Sequence, residues 1–256
     1  MDQRKIDNLS LVIPCLNEPE NIPLLIKQLS KTVTSIPFKL EVIIVDGCSD
    51  DDTAKILINE FKQLNPNNFK LMLQKERMGY GHDIVVGLKA AKYDVLAWTH
   101  ADMQTDINDA ILGFNLYRSF LDSNNNTNII VKGHRVGRPF LDTMLTYGMQ
   151  FFTLLTLNMN LSDINAQPKI FSKEFFELHI KNSAPNDFSL DLFLLAVAKK
   201  NKYNLHSFPV HFEKRRLGEA KGGGGSLRNR WNLMKRTSQY ILKLRQELST
   251  SKNLNP

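Results

Sequence analysis

Short apolar runs alternate with longer segments in which apolar residues recur at helical spacing through the first half of the chain. Leu9–Pro14, Leu40–Val45, Phe69–Gln74 and Val95–Thr99 are short, rich in Val, Ile and Leu, and end in turn-forming residues, the pattern of buried strands. Between them, Glu20–Thr34, Thr53–Phe61, the stretch from Gly79-Tyr80-Gly81 through Ala91, and Ile107–Phe120 predict helices. Pro23 is tolerable in the first turn of the first helix. Strands alternating with helices predict an α/β fold, a mostly parallel central sheet flanked by helices.

The second half is less regular. A polar loop, Asn124–Asn128, precedes a strand at Ile129–Lys132 and a helix over Pro139–Met159 that is rich in Phe, Leu and Met. Ile164–Phe171 predicts a strand, Ser172–Ile180 and Leu190–Lys200 two helices, and Leu205–His211 a last strand. Leu227, Trp231, Met234, Ile241 and Leu248 then fall along one side of a helix, with Arg228, Lys235, Arg236 and Lys243 broadly opposite. Gly222–Gly225 forms a hinge before it and Ser226 an N-cap. This divides the chain into residues 1–221 and a hinge with a C-terminal basic amphipathic helix, 222–256. Such a helix can lie in a membrane interface or pack across the preceding domain.

Composition narrows the class. With 256 residues and 42% hydrophobic content the chain can bury one large core. Cys15 and Cys48 lack metal-ligand spacing and read as reduced thiols. The N-terminus lacks the apolar core of a signal peptide, and no stretch has the length of a membrane span, so the expected location is cytoplasmic, either soluble or peripherally attached at the cytoplasmic membrane face. From Lys199 onward there are 14 Lys/Arg against 3 Asp/Glu, a net +11, which leaves the rest of this +7 chain at −4. That asymmetry points to anions: phosphates or an acidic membrane surface. Nucleic acid is not expected, since the tail has no zinc-finger spacing, RNP-like aromatic run or recognition-helix signature.

Candidate chemistry gathers where strands end, the place at which open α/β sheets bind ligands. After the fourth strand, His100, Asp102 and Gln104 form a polar cluster, and Asp and Gln oxygens suit magnesium or manganese carried by a diphosphate. After the first strand, Pro14, Asn17 and Glu18 either shape a loop around a nucleobase or make a strand-to-helix turn. After the second, Asp46 can accept hydrogen bonds from a base edge or ribose, with Ser49 nearby, while Asp51 reads as a solvated turn residue and Asp52 as a helix cap. Gly79 and Gly81 can bring backbone N–H groups to a phosphate or simply make a tight connection, and Arg77 adds a cation.

Together these loops resemble the family 2 glycosyltransferases of GT-A fold, closest to the dolichol/polyprenyl-phosphate mannosyltransferase-like branch. The resemblance rests on Val12–Glu18, Val45–Thr53, the Arg77–His82 loop, His100-Ala101-Asp102-Met103-Gln104 in the place of an Asp-x-Asp-x-Gln, and Arg215–Lys221 in the place of an Arg-x-x-Gly-x-Ser-Lys, in order across residues 9–221. It departs at His100, where the family has an acid that helps hold nucleotide or metal, and at Ala220, which lacks the family's hydroxyl.

The resemblance implies an inverting transfer of sugar from a nucleoside-diphosphate sugar to a polyprenyl-phosphate acceptor. Mg²⁺ or Mn²⁺ would be held by Asp102 and Gln104, and Arg215 and Lys221 would close over the phosphates. Pro14, Asn17, Glu18, Asp46, Ser49, Arg77, Gly79 and His100 would line the donor site, and Arg135 and Arg138 would grip an acceptor phosphate. A phosphate acceptor needs little help from a base, whereas a saccharide hydroxyl needs one. For that alternative acceptor, in surface-polysaccharide assembly, the candidate bases are Asp163 and Asp191, each of which could instead be a cap or a salt-bridge partner. Two further readings are a nucleotide-sugar-binding regulator with an altered site at His100, and a nucleotidyltransferase, which would release diphosphate instead of a nucleoside diphosphate.

Overall fold

The computed structural model describes residues 7–124, 128–138, 140–213, 215, 217 and 227–250. Seven strands form one sheet: β1 (Asn8–Cys15), β2 (Lys39–Asp46), β3 (Phe69–Leu73), β4 (Val95–Trp98), β5 (Ile129–Val136), β6 (Lys169–Ser172) and β7 (Asn204–His211), in the order β3-β2-β1-β4-β6-β5-β7. All neighbours are parallel except β6, which runs antiparallel to both β4 and β5. The helices are α1 (Ile22–Ser35), α2 (Thr53–Phe61), α3 (Tyr80–Ala90), α4 (Ile107–Asn124), α5 (Phe140–Leu157), α6 (Lys173–Phe175, continued by a π-helical turn to Ile180), α7 (Leu190–Lys200) and α8 (Leu227–Thr250).

The pleat of the sheet sorts its residues between two cores. Val12, Ile43, Val45, Leu96 and Trp98 face α3, the segment 175–180, α7 and α8. Their neighbours Leu11, Ile13, Val42, Ile44 and Ala97 face α1, α2 and α4. Because both faces are covered, β1 and β2 are near-continuous apolar runs without polar alternation.

Three differences from the sequence-based expectation matter. β6 is short: residues 161–168 form an irregular segment in which Asp163 has φ 39° and Gln167–Pro168 is cis. Apolar content suggested a strand there, but the inward side chains serve a polar network. β5 runs four residues past Lys132, because β7 pairs with it through Val136. Finally, Ile241 and Leu244 of α8 are fully buried in the core shared with β4 and α7, so this part of the basic helix packs on the domain. Lys221, Ser226 and the Gly222–Gly225 hinge lie outside the described residues, as do the side chains of Leu227, Trp231, Met234 and Leu248.

Candidate active site

In the strand order, β1 sits between β2 and β4, where the direction of winding reverses, and the loops after these three strands converge. β1 ends in a buried Pro14, opposite Val45, and the chain then turns through Asn17 at φ 56°. The Asn17 N–H donates to Ser49 Oγ at 2.8 Å, and its side chain exchanges hydrogen bonds with Asp50, accepting from the Asp50 N–H at 3.1 Å. Ser49 is itself held by Asp46, through Oγ at 2.6 Å and N–H at 3.1 Å. Arg77 completes the clasp by pairing with Asp50 at 2.7 Å and donating from Nε to the Cys48 carbonyl at 3.0 Å. The first two loops are therefore one hydrogen-bonded unit around the buried Asp46, and Arg77 braces it from the third.

Glu18 is buried, accepts from Asn21 Nδ2 at 2.7 Å and pairs with Arg215, 197 positions later. Arg215 also donates from Nε to the Leu217 carbonyl at 2.9 Å. This ion pair brings the C-terminal arm to the β1 tip. A second tie lies nearby: Gln104 Nε2 donates to the Glu213 carbonyl at 3.1 Å, and the Glu213 N–H donates to the Gln104 carbonyl at 2.9 Å. The amide nitrogen of Gln104 is thus spent on the arm, which turns its side-chain oxygen into the atom available for a cation.

Asp102 is half-buried in the tight turn made by Met103 at φ 57°, with Oδ1 accepting the Gln104 N–H at 3.1 Å. Among the described residues no three His, Cys, Asp or Glu side chains converge to hold a metal alone. One carboxylate and one amide oxygen fit an ion that arrives with most of its shell supplied by diphosphate and water, the habit of magnesium. His100 lies beside this turn, its ring centroid 5.7 Å from that of Tyr80, which stacks on Phe188 at 4.7 Å.

The glycine loop does more than precede a helix. A Cβ at Gly79 would strike the Asn186 carbonyl, and one at Gly81 would strike the carbonyls of Pro185 and Asp187. Gly79 also has φ 110°, a conformation L side chains rarely adopt. The His82 N–H donates to Asn186 O at 3.1 Å. The glycines thus admit the 185–187 backbone and set Phe188 on Tyr80.

Beyond this wall lies a buried ionic network that sequence reasoning only half found. Asp191, in the first turn of α7, pairs with Lys169 of β6 and accepts from Gln167 Nε2 at 2.7 Å, both ionic side chains being almost wholly buried. Burial pushes the Lys169 ammonium down, and the Asp191 charge pulls it back up. Asp163 is gripped by Arg135 through Nε at 2.9 Å, through Nη2 and through its backbone N–H at 2.7 Å. Burial alone would raise the Asp163 carboxyl, but the hydrogen bonds and charge of Arg135 outweigh it and hold it below its ordinary value. Of the two sequence readings for these acids, the structure supplies the salt-bridge partner.

Arg135 and Arg138 lie over the Phe212 ring at 5.4 and 5.8 Å, and Arg138 donates to Thr146 Oγ1 of α5 at 2.8 Å. Lys132, the register partner of Lys169, donates to the carbonyls of Gly133 at 3.0 Å and Asp163 at 3.2 Å. Burial and the neighbouring Lys169 push its pKa down to about 7. The signal for both lysines was a cation inside an apolar strand, since lysine is almost never fully buried without a partner.

Residues 10–113 match the model of glycosyl transferase family 2. The chain is thus similar to that family over β1–β4 and the first part of α4. It is 25% identical over 217 residues to a dolichyl-phosphate beta-glucosyltransferase of Trichomonas vaginalis, an alignment covering 80% of this chain and 66% of that one. With the dolichyl-phosphate beta-glucosyltransferase of Dictyostelium discoideum it shares 27% over 217 residues, 76% of this chain and 64% of the relative. The chain spans just under two thirds of the length of these relatives. In fold it is similar to glucosyl-3-phosphoglycerate synthase of Mycobacterium tuberculosis, solved with Mg²⁺ and uridine diphosphate: TM-score 0.65 at 18% identity, covering 93% of this chain and 79% of that one. The architecture is GT-A.

Proposed function

We propose that this family 2 domain moves a sugar, with inversion, from a nucleoside-diphosphate sugar to a polyprenyl phosphate at the cytoplasmic face of a membrane. The observation that carries the choice of acceptor is the state of Asp163 and Asp191. A hydroxyl acceptor must lose a proton to a positioned base, and an efficient base has a pKa near the working pH. Asp163 is held low by Arg135, and Asp191 is engaged by Lys169 and Gln167. A phosphate acceptor is already an anion and asks nothing of either acid. The names of the two relatives, dolichyl-phosphate glucosyltransferases, support the same acceptor class.

In this reading, the unit of Pro14, Asn17, Glu18, Asp46, Ser49 and Arg77 frames the nucleoside, with Gly79 fixing the neighbouring wall and His100 beside it. Asp102 and Gln104 would hold Mg²⁺ or Mn²⁺, which supplies charge neutralisation to the departing diphosphate. Arg215, delivered by Glu18, adds cationic charge on the same side, and Lys221 of the arm is assigned the same task. Arg135 and Arg138, at the end of β5, attract the acceptor phosphate.

The test is a transfer assay with a panel of nucleoside-diphosphate sugars, manganese, and either a short-chain polyprenyl phosphate or a saccharide. The expected product is a prenyl-phospho-sugar of inverted anomeric configuration. Sugar appearing on a saccharide hydroxyl and never on prenyl phosphate would overturn the acceptor. Asp102→Ala should lower transfer by about 10²-fold or more and remove the manganese-dependent thermal stabilisation by nucleoside diphosphate, with the ligand-free melting temperature unchanged.

A further inference from the structure

We propose that the outer face of α5 is a seat for an anionic bilayer surface, with α8 supplying the cations beside it. Met144, Tyr147, Phe151, Leu154 and Leu155 are 54%, 61%, 62%, 40% and 66% exposed. At 3.6 residues per turn these five fall within one arc of roughly 100°. The opposite side of the same helix is spent on the domain: Thr153 is buried, and Met149, Phe152 and Leu157 pack on the core. Single apolar residues on a surface need no explanation, but a contiguous stripe of five large ones marks a docking site.

The charge beside the stripe selects the occupant. α8 packs against α5 and carries six Lys/Arg and one Glu. Lys235, Arg236, Lys243 and Arg245 are exposed, and the ion pairs of two of them are long and wet: Arg236 to Asp187 at 3.7 Å and Lys243 to Glu247 at 3.5 Å. Such surface pairs cancel little of the field. An apolar face bordered by cations is the composition that inserts among anionic headgroups. A second copy of the chain would instead bring two such α8 helices, each of net charge +5, towards one another.

No helix among the described residues is long and apolar enough to cross a membrane, so the contact lies in the interface plane. The apolar side of α8 does not provide it at Ile241 and Leu244, which are buried, and α5 takes that part. The seat also has a direction. Arg138 reaches Thr146, next to Tyr147 of the stripe, which sets the basic end of β5 at the level of the headgroups. This surface rests on the membrane-face reading above, though not on the identity of the acceptor.

Sedimentation of the full chain with phosphatidylcholine vesicles, with and without phosphatidylglycerol and free of polyprenyl phosphate, tests it. The chain should bind the anionic vesicles, and rising salt should release it. The double variant F151E/L155E should bind at least about tenfold more weakly while keeping its melting temperature, and K235E/R236E should lose the preference for anionic lipid. Undiminished binding by F151E/L155E, or failure of the parent chain to bind at all, would overturn the proposal. So would a parent dimer that F151E/L155E splits, which would make a second copy the occupant. Transfer to a detergent-dispersed short-chain prenyl phosphate needs no vesicle, so the acceptor can fail while the surface stands, and the reverse.

Discussion

Replacing Asp191 by asparagine separates an ion-pair role from a proton-transfer role. In the parent protein Lys169 and Asp191 neutralise one another in a site with almost no solvent, and Gln167 satisfies the same carboxylate. Asparagine keeps the shape and an acceptor for Gln167 but leaves the ammonium uncompensated. Removing one partner of a buried pair costs about 3–5 kcal/mol. In a domain of this size each kcal/mol shifts the melting temperature by about 2–4 °C, so D191N should melt about 6–20 °C lower. Part of that loss should return at high pH, because a lysine whose pKa is lowered in the fold sheds its proton there and not in the unfolded chain. The double variant K169M/D191L removes both charges and should melt within about 1–2 kcal/mol of the parent, since well-packed apolar replacements of buried pairs are often neutral. It should also retain transfer to prenyl phosphate. Differential scanning calorimetry and the transfer assay on all three proteins decide it. A D191N protein of unchanged melting temperature, with a folded but inactive double variant and transfer down by about 10²–10⁴-fold, would make Asp191 the base and refute the reasoning.

Two further outcomes follow from the same geometry. Lys132 has a folded pKa of about 7, below its unfolded value, so above pH 7 the unfolded chain binds more protons than the folded one. Stability should therefore rise from pH 7 towards pH 10, by up to about 1.4 kcal/mol per pH unit, and Lys132→Met should flatten that slope and raise the melting temperature at neutral pH. Gly81→Ala should cost about 1–3 kcal/mol in urea denaturation, because its methyl group meets the Pro185 and Asp187 carbonyls; a neutral result would remove the packing role given to this glycine.

The first half of the fold was legible because burial on both faces of a parallel sheet leaves no ambiguity in runs such as Leu40–Val45. The strand tips could be read for the same reason: polar residues that abruptly end an apolar run have few other tasks. What remained hidden was pairing across long sequence distances. Glu18 reads in the sequence as a nucleobase-loop or turn residue, and its pairing with Arg215 shows only in three dimensions. Of the strand expected over Ile164–Phe171, residues 164–168 are irregular, because Ile164 and Ala166 are buried alongside a polar network anchored by Asp163, Gln167 and Lys169. The sequence shows α5 as a helix rich in Phe, Leu and Met, and the structure turns five of its large side chains outward. Composition measures how apolar a helix is; only its neighbours determine where that surface goes.

The Glu18–Arg215 contact also has a consequence for how the protein is made. The tips of β1 and β2 leave the ribosome early, yet the cation that neutralises buried Glu18 arrives 197 residues later. Until then the carboxylate must stay hydrated, and the β1 loop lacks its final brace. A nascent or truncated chain therefore lacks that brace, and the β1 loop of the proposed nucleoside site reaches its final form only when the last strand and the arm behind it are in place. The tip of the first strand is thus finished by a segment that follows the last one.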